Sequence, residues 1–267
     1  MRLDWLSIPK YKNLRDFRIN FDEEQSTTVL LGRNGSGKSN LVEAIVEIFR
    51  DIELNNPPAF EYILQYVCRD HIIKLDADPS RGRRLEITVD NEPIARSTFQ
   101  KSVATYLPNY VFAYYSGWSS RLEHHFDEPT RVYYHEILNS KGDEMPLRRL
   151  FFCRKEYSQL VLLAFFLAEP PGASALLEKY LGIRSFDSAL FVMKTPWWGG
   201  GKRPNKIMLE EGDPRFWYAR GSFKTFLDRL WRFAFAPIRN KEAVERDIRR
   251  QGEVTERLYL LSKILLS

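Results

Sequence analysis

An eight-residue glycine-rich loop, Gly32–Ser39, constrains the fold of this chain more than any other segment. Its sequence, GRNGSGKS, matches the pattern G-x-x-x-x-G-K-[ST] at every fixed position. Glycines let the backbone curl so that successive N–H groups point into one concavity, which suits a phosphate. Thr27–Leu31 before the loop predicts a buried strand, and Asn40–Arg50 after it predicts an amphipathic helix. This order predicts a phosphate-binding loop in an α/β fold, the alternative being a strand–helix turn that binds nothing.

The residue types of the loop predict the roles of individual side chains around a nucleoside triphosphate. We expect the Lys38 ammonium on the β- and γ-phosphates, as the catalytic residue, and the Ser39 hydroxyl on Mg²⁺, as the metal ligand. The helix after the loop adds the positive end of its dipole. The predicted nucleotide-binding residues here are Gly32, Arg33, Asn34, Gly35, Ser36, Gly37, Lys38, Ser39 and Asn40. ATP and Mg²⁺ are therefore the expected cofactors.

Composition and apolar runs limit where the protein is expected to work. The 267 residues are 44% apolar and 28% charged, which is ordinary for a globular protein. Leu160–Ala168 is the longest apolar run and is too short for a membrane span, which needs roughly 20 residues. Charges interrupt the N-terminus, which is no signal peptide, and two distant cysteines suit a reducing compartment. We expect a cytoplasmic protein without a membrane partner, and the net charge of +5 fits a nucleic-acid partner weakly.

Hydrophobic patterning predicts two lobes, at 1–117 and 118–267. Alternating or β-rich segments predict strands at residues 2–8, 14–21, 62–68, 72–77, 85–89 and 110–115. The predicted fold class is α/β: a phosphate-loop NTPase N-terminal lobe of the ABC-head type with an antiparallel β-subdomain, followed by a mainly helical lobe. The second lobe is expected to be incomplete at its C-terminal end, because the chain stops inside an apolar helical face.

The predicted elements of the second lobe are mostly helices. Glu156–Ala168 is expected to be a core helix, and Gly221–Phe235 a further helix. Two pairs of opposite charges at i,i+4 spacing predict a charged helix over Lys241–Arg250, a solvated face or the start of a coiled-coil arm. Leu258 begins an apolar repeat at helical spacing, which Leu261 and Leu265 continue. Trp197–Lys202 predicts a flexible loop.

The loop and its flanks resemble a known group of ATPases. Leu31–Ile45, LGRNGSGKSNLVEAI, resembles the ABC-type ATPases of the SMC, RecF and OLD group, which carry G-x-N-G-x-G-K-[ST]-N followed by two hydrophobic residues, [ED] and A-[IL]. Tyr11–Phe17, YKNLRDF, is similar to the turn that precedes the loop in these proteins. The overall sequence looks closest to AAA-type ATPase subunits of bacterial restriction-associated and anti-phage defence systems. The specific resemblance covers roughly residues 1–50.

The resemblance implies a split ATPase head and a set of partners. Two heads would sandwich two ATP molecules, which implies a homodimer closed by nucleotide, with an effector nuclease or another defence subunit and DNA as candidate partners. The turn at Lys12 and Asn13 is implied to approach the nucleotide, so both residues are candidate binding residues. Ser116 stands where the group's Q-loop begins, although no glutamine is present there.

Two other motifs of that group are not found in the sequence. Ile207–Glu211 is the nearest match to a Walker B strand but lacks its aspartate, and Leu85–Asp90 comes too early and is followed by Asn91. Gly199–Gly201 lacks the flanking residues of the signature loop. The chain is therefore expected either to be the N-terminal part of a longer protein or to be completed by another polypeptide, and nucleotide binding is predicted ahead of hydrolysis.

Three functions stay open at this point. The leading hypothesis is an ATP-binding, ABC/SMC-like ATPase subunit that switches a head dimer in anti-phage defence or DNA maintenance. A nucleotide-dependent assembly module without hydrolysis would also explain the missing Walker B carboxylate. A small-molecule phosphate-loop kinase is the third, although no arginine-rich lid is evident.

Other polar clusters have both a functional and a structural interpretation. His124 and His125, close to Glu123 and Asp127, suggest a metal site or a polar helix surface, and adjacent histidines on a helix point about 100° apart. Three basic clusters are candidates for nucleic-acid phosphates or solvated surface. They are Arg81/Arg83/Arg84, Arg148/Arg149 with Arg154/Lys155, and Lys202/Arg203/Lys206.

Overall fold

The chain, described here from a computed structural model, divides into two compact units. The residues described are 1–22, 24–25, 27–117, 119–139, 147–155, 157–168, 170–185, 187–195, 204–243 and 254–263. The first unit comprises Met1–Val132 with Leu147–Cys153, and the second comprises Tyr133–Pro146 with Arg154–Ser267. The glycine loop lies in the first unit.

A six-stranded antiparallel sheet, in the order β2-β1-β3-β4-β5-β6, forms the framework of the first unit. Its strands are β1 (Arg2–Tyr11), β2 (Leu14–Asn20), β3 (Tyr62–Cys68), β4 (His71–Ala77), β5 (Leu85–Val89) and β6 (Glu92–Ile94). Alternate residues of β3 are buried, from Tyr62 through Leu64 and Tyr66 to Cys68. The predicted antiparallel subsheet is therefore confirmed, and it extends to β1 and β2.

Helix α1 (Lys38–Glu53) begins within the glycine loop and packs into two apolar clusters. Ala44 and Ile48 belong to the cluster on the sheet, whereas Val46 joins Phe126 in a second cluster. Because α1 is buried on both sides, its first turn has a fixed position in the unit. The remaining elements of this part of the chain are α2 (Arg96–Lys101), α3 (Val103–Tyr106), β7 (Val111–Ala113), α4 (Arg121–His124), α5 (Asp127–Asn139) and β8 (Leu150–Phe152).

The segment Thr27–Leu31 does not form the predicted buried strand. In the described part of the chain it has no strand partner, and Val29 and Leu31 are 72% and 89% exposed. A β-rich sequence gives a strand only where a neighbouring strand accepts its hydrogen bonds, so propensity alone was insufficient. The strand expected at 110–115 is shorter than predicted, and β7 pairs in parallel with β8.

The second unit combines helices with a three-stranded antiparallel sheet, in the order β10-β11-β9. Its elements are α6 (Tyr157–Ala168), α7 (Ala173–Leu181), β9 (Ser188–Lys194), α8 (Lys206–Glu211), a 3-10 turn (Pro214–Phe216), α9 (Ser222–Phe233), β10 (Ile238–Ala243) and β11 (Val254–Lys263). The predicted α6 is confirmed as a helix, but the expectation that it is core is wrong, because Leu160 and Val161 are about half exposed.

Two predicted helices near the C-terminal end are wrong where the structure describes them. Residues Lys241–Ala243, expected to open a charged helix, lie in β10. The apolar repeat at Leu258 lies in β11, where Leu258, Leu260 and Ser262 are buried with the two-residue period of a strand. Three predicted features lie outside the described residues: residues 244–250 of the charged helix, Leu265 and the loop Trp197–Lys202.

Candidate functional site

The turn between β1 and β2 lies against the glycine loop. The side-chain amide of Asn13 donates from Nδ2 to the carbonyl oxygen of Gly35 at 2.7 Å. Asn40, in the first turn of α1, donates from its own Nδ2 to Asn13 Oδ1 at 2.5 Å. These two hydrogen bonds connect the turn, the loop and the helix. The motif that resembles the upstream turn of the ABC-type group is thus in direct contact with the loop.

Two glycines of the loop take backbone conformations that favour glycine. Gly35 has φ +81°, and Gly37, which caps the N-terminus of α1, has φ +98°. A Cβ atom on Gly37 would lie 2.6 Å from Leu14 Cδ2 and 3.0 Å from Asn13 Oδ1. A Cβ atom on Gly35 would meet nothing within 4 Å. Gly37 therefore lets the β1–β2 turn approach the loop closely, while Gly35 supplies only its backbone conformation.

Lys38 folds back over the loop that precedes it. Its Nζ donates to the carbonyl oxygens of Gly32 at 2.7 Å and Arg33 at 2.9 Å. Within the described ranges these contacts use two of the three donors of the ammonium group, which leaves one for a ligand. Both carbonyls belong to the loop that precedes α1, and the first backbone N–H groups of a helix have no partner within it.

The loop forms one wall of an open cleft of about 580 Å³. The lining residues are Lys12, Asn13, Asn34, Gly35, Ser36, Gly37, Lys38, Ser39, Asn40 and Arg121. Gly32 and Arg33 do not line the cleft themselves, but their carbonyl oxygens bind Lys38, which does. The structure therefore brings the predicted binding residues together in one place. Arg121, from α4, was not among the predicted residues.

Glu43 is the centre of a polar cluster directly behind the cleft, which the sequence did not reveal. The residue lies one turn after Ser39 on α1 and is only 5% exposed. Its carboxylate accepts hydrogen bonds from Lys12 Nζ, from Arg121 Nη2 at 2.7 Å and from His125 Nε2 at 3.0 Å. One buried carboxylate thus connects the β1–β2 turn, α4 and the residue that follows α4.

The charges around Glu43 set its ionisation. Burial alone raises the pKa of this carboxyl, but the hydrogen bonds from His125, Lys12 and Arg121 outweigh it and hold the pKa below its ordinary value. Arg50 donates from Nη1 to His125 Nδ1 at 2.8 Å, so the imidazole accepts at Nδ1 and donates from Nε2 to Glu43. Glu43 is therefore a firmly ionised carboxylate with a fixed set of donors.

The residues considered for the Q-loop and Walker B motifs do not join the cleft. Ser116 is exposed and lines neither this cleft nor a second cavity of about 360 Å³ that shares Lys38 and Ser39 with it. Ile207–Glu211 lies in helix α8 rather than in a strand. Asp90, at the end of β5, binds His71 Nδ1 and the backbone N–H of Ile72, and these hydrogen bonds lower its pKa. Asp90 therefore stabilises the end of β5 against the start of β4. No Walker B carboxylate is found among the described residues at the cleft.

The histidine pair divides between two environments. His125 faces Glu43, whereas His124 contacts Ser120 and Asp127 at the surface. Within the ranges that the structure describes, no group of three or more His, Cys, Asp or Glu side chains could hold a metal ion. The pair therefore contributes one residue to the polar cluster behind the cleft.

Each of the three basic clusters has a member that is bound to a carboxylate of the protein: Arg81, Arg149 and Lys206. Arg81 binds Asp76 and lies 3.5 Å from Asp78. Arg149 is 6% exposed and donates to Glu53 at 2.6 Å, so it stabilises the fold rather than offering a cation to phosphates. Lys206 is exposed and lies 3.8 Å from Glu210. Lys202 and Arg203 lie outside the described residues.

A glycine loop that opens a buried helix, with a lysine and a serine at one cleft, defines a phosphate-loop nucleotide-binding domain. The sequence model of the AAA ATPase domain matches residues 1–161 of the 267, which is more than half of the chain. The chain therefore belongs to the AAA ATPase domain family and carries an ATP-binding ATPase domain. No curated protein matches the chain.

The cleft fits the cofactors that this family generally uses, ATP and Mg²⁺. The donors at the cleft are cations, amides, hydroxyls and backbone N–H groups, which suit phosphate oxygens. Ser39 supplies a hydroxyl of the type that phosphate-loop proteins give to Mg²⁺. Among the helices that the structure describes, none combines the length and hydropathy needed to cross a membrane.

Proposed function

We propose that the chain binds Mg-ATP at Gly32–Ser39 and acts as an ABC/SMC-like ATPase subunit. One observation carries this proposal: the loop backbone, Lys38 and Ser39 line the same cleft at the N-terminus of a helix that is fixed by packing on both sides. Lys12 and Asn13 border that cleft from the β1–β2 turn. A triphosphate would meet cations and N–H donors from both segments.

The residues of the chain have separate tasks in this proposal. The backbone from Asn34 to Gly37 and the first turn of α1 donate N–H groups to phosphate oxygens. Lys38 holds the β- and γ-phosphates, and Ser39 offers its hydroxyl to the metal. Mg²⁺, when bound, neutralises charge between these two phosphates. Asn13 keeps the loop in its binding conformation through the Gly35 carbonyl.

Glu43 is a poor candidate for the base that activates water. Three donors hold it as a carboxylate, and a lowered pKa makes a carboxylate a weaker proton acceptor. We therefore propose that a completing lobe or a partner supplies the carboxylate for hydrolysis. The same observation favours a second candidate function, a nucleotide-dependent assembly module that does not hydrolyse ATP.

The proposed partners follow from the resemblance of the loop and the upstream turn to ABC-type heads. ATP would close a homodimer of heads, and closure would signal to an effector nuclease or to DNA. The proposed setting is anti-phage defence or DNA maintenance in the bacterial cytoplasm. Sedimentation velocity with and without Mg-ATP tests the dimer, and a sedimentation coefficient that ATP leaves unchanged at all concentrations would contradict it.

Binding and hydrolysis of Mg-ATP by the purified chain test the proposed function. We expect saturable binding that Lys38→Ala weakens by about tenfold or more, since it removes a charge-assisted contact. Lys74→Ala is the matched control, because Lys74 is an exposed lysine on β4 outside the cleft. Binding without turnover supports the incomplete head or the assembly module. Lys38-dependent turnover would show that the chain completes its own catalytic site.

If the wild type does not bind Mg-ATP, or if Lys38→Ala binds as tightly as Lys74→Ala, the proposed site is wrong. Circular dichroism of each variant shows whether the fold is retained. Transfer of phosphate to a metabolite rather than to water would instead support a small-molecule kinase.

A further inference from the structure

Arg121 is a cation at the cleft that lies outside the glycine-loop pattern. It lines the cleft of about 580 Å³ and also a neighbouring cavity of about 360 Å³. Among the described residues, Lys38, Ser39 and Arg121 line both spaces. Arg121 is therefore beside the two side chains that are proposed to hold the γ-phosphate and the metal.

The protein contacts of the Arg121 guanidinium fix its orientation and leave some of its N–H donors for a ligand. Nη2 donates to Asn40 Oδ1 at 2.6 Å and to Glu43 Oε2 at 2.7 Å. Both contacts use the same nitrogen, so within the described part of the chain Nη1 and Nε keep their donors for a ligand. The side chain is 56% exposed, which leaves it accessible from the cleft. An arginine held in this way loses little conformational entropy when it binds an anion.

The cations that line the cleft indicate that its ligand is an anion. Lys12 and Arg121 bind the carboxylate of Glu43, and Lys38 lines the same cleft as these two cations. The neighbouring cavity is lined by Lys38, Arg121 and Ser39, with Glu43 as the carboxylate among its described lining residues. A terminal phosphate has three oxygens that accept hydrogen bonds from a planar guanidinium.

We propose that Arg121 binds the γ-phosphate and makes the site discriminate ATP from ADP. The inference rests on the proposed function, since it requires the triphosphate to lie on the glycine loop. It assigns to α4 a contact with the one phosphate that changes during the ATPase cycle. Glu43 then acts as a positioning residue, because it sets the orientation of Arg121 through Nη2.

Binding affinities of the full chain for Mg-ATP and Mg-ADP, measured by titration calorimetry, test this inference. The variants are Arg121→Gln, Arg121→Lys and the control Arg83→Gln, which removes an exposed charge in the turn between β4 and β5. For Arg121→Gln we expect the Kd for ATP to rise about tenfold more than the Kd for ADP. Arg121→Lys should recover part of the loss, and the control should match the wild type.

The outcomes separate this inference from the proposed function. Equal losses for ATP and ADP in Arg121→Gln, or no loss for either, would overturn the role of Arg121 while wild-type binding still supports the loop as the site. Absence of ATP binding in the wild type would overturn both. A fall in thermal stability that Arg121→Lys restores, with an unchanged ratio of the two affinities, identifies Arg121 as a structural support for Glu43 and overturns the inference.

Discussion

Replacing Glu43 by glutamine is the strongest test of the polar cluster behind the cleft. The substitution keeps the shape of the side chain and removes its charge. Hydrogen bonds to charged groups contribute about 1.5–3 kcal/mol each, but Lys12 and Arg121 are 39% and 56% exposed and regain water when the charge is lost. His125 is 13% exposed and can still donate to the amide oxygen. We therefore expect a loss of about 1–2 kcal/mol for Glu43→Gln at pH 7.

The loss of unfolding free energy in Glu43→Gln should become smaller at acidic pH. Because the pKa of Glu43 in the folded chain lies below its unfolded value of about 4.3, ionisation stabilises the fold fully above that pH. This contribution is lost as the pH falls through the lower folded-state pKa. The difference in unfolding free energy between wild type and Glu43→Gln should be constant between about pH 5 and 7 and should shrink in stronger acid.

Urea unfolding followed by circular dichroism measures this difference. Glu86→Gln is the matched control, because Glu86 is 54% exposed and lies 3.9 Å from Arg81. Its expected effect is within about 0.5 kcal/mol. The reasoning is refuted if Glu43→Gln costs no more than Glu86→Gln, or if its cost stays the same below the unfolded pKa.

Two further pairs of variants test the loop and the second cluster. Gly37→Ala should lower the unfolding free energy by about 2 kcal/mol or more, because the new Cβ would lie 2.6 Å from Leu14 Cδ2. Gly35→Ala should lower it by only about 1 kcal/mol, which is the cost of backbone strain at a positive φ. Equal losses would show that the contact with the β1–β2 turn is not tight. Phe126→Ala should cost about 3–5 kcal/mol because the ring is fully buried, and Phe112→Ala less than about 1 kcal/mol because that ring is 62% exposed. Thermal and urea unfolding check both pairs, and the reverse order in either pair would contradict the packing described.

The elements that the sequence predicted well are those whose pattern depends on near neighbours. Strand β3 alternates buried and half-buried residues along its whole length, and α1 shows apolar residues at helical spacing after a glycine loop. The loop pattern is also local, so the residues of the cleft wall could be named from the sequence. Such features need no information about distant parts of the chain.

The features that the sequence did not predict depend on distant partners. Glu43 meets Arg121 and His125 from 78 and 82 positions away, and no local spacing indicates those contacts. Thr27–Leu31 has the propensity of a strand but no neighbouring strand in the described residues. In β11, leucines at 258 and 261 fit a helical spacing, while the buried residues follow a two-residue period set by pairing with β9 and β10.

The contacts of Lys38 with the carbonyls of Gly32 and Arg33 have a consequence for the thermodynamics of binding. A free lysine side chain loses up to about 2 kcal/mol of rotamer entropy when it is immobilised on a ligand. In this chain the ammonium is already fixed by two hydrogen bonds before any ligand arrives. The ordering cost is therefore met during folding, and more of the interaction between the lysine and a phosphate appears as affinity.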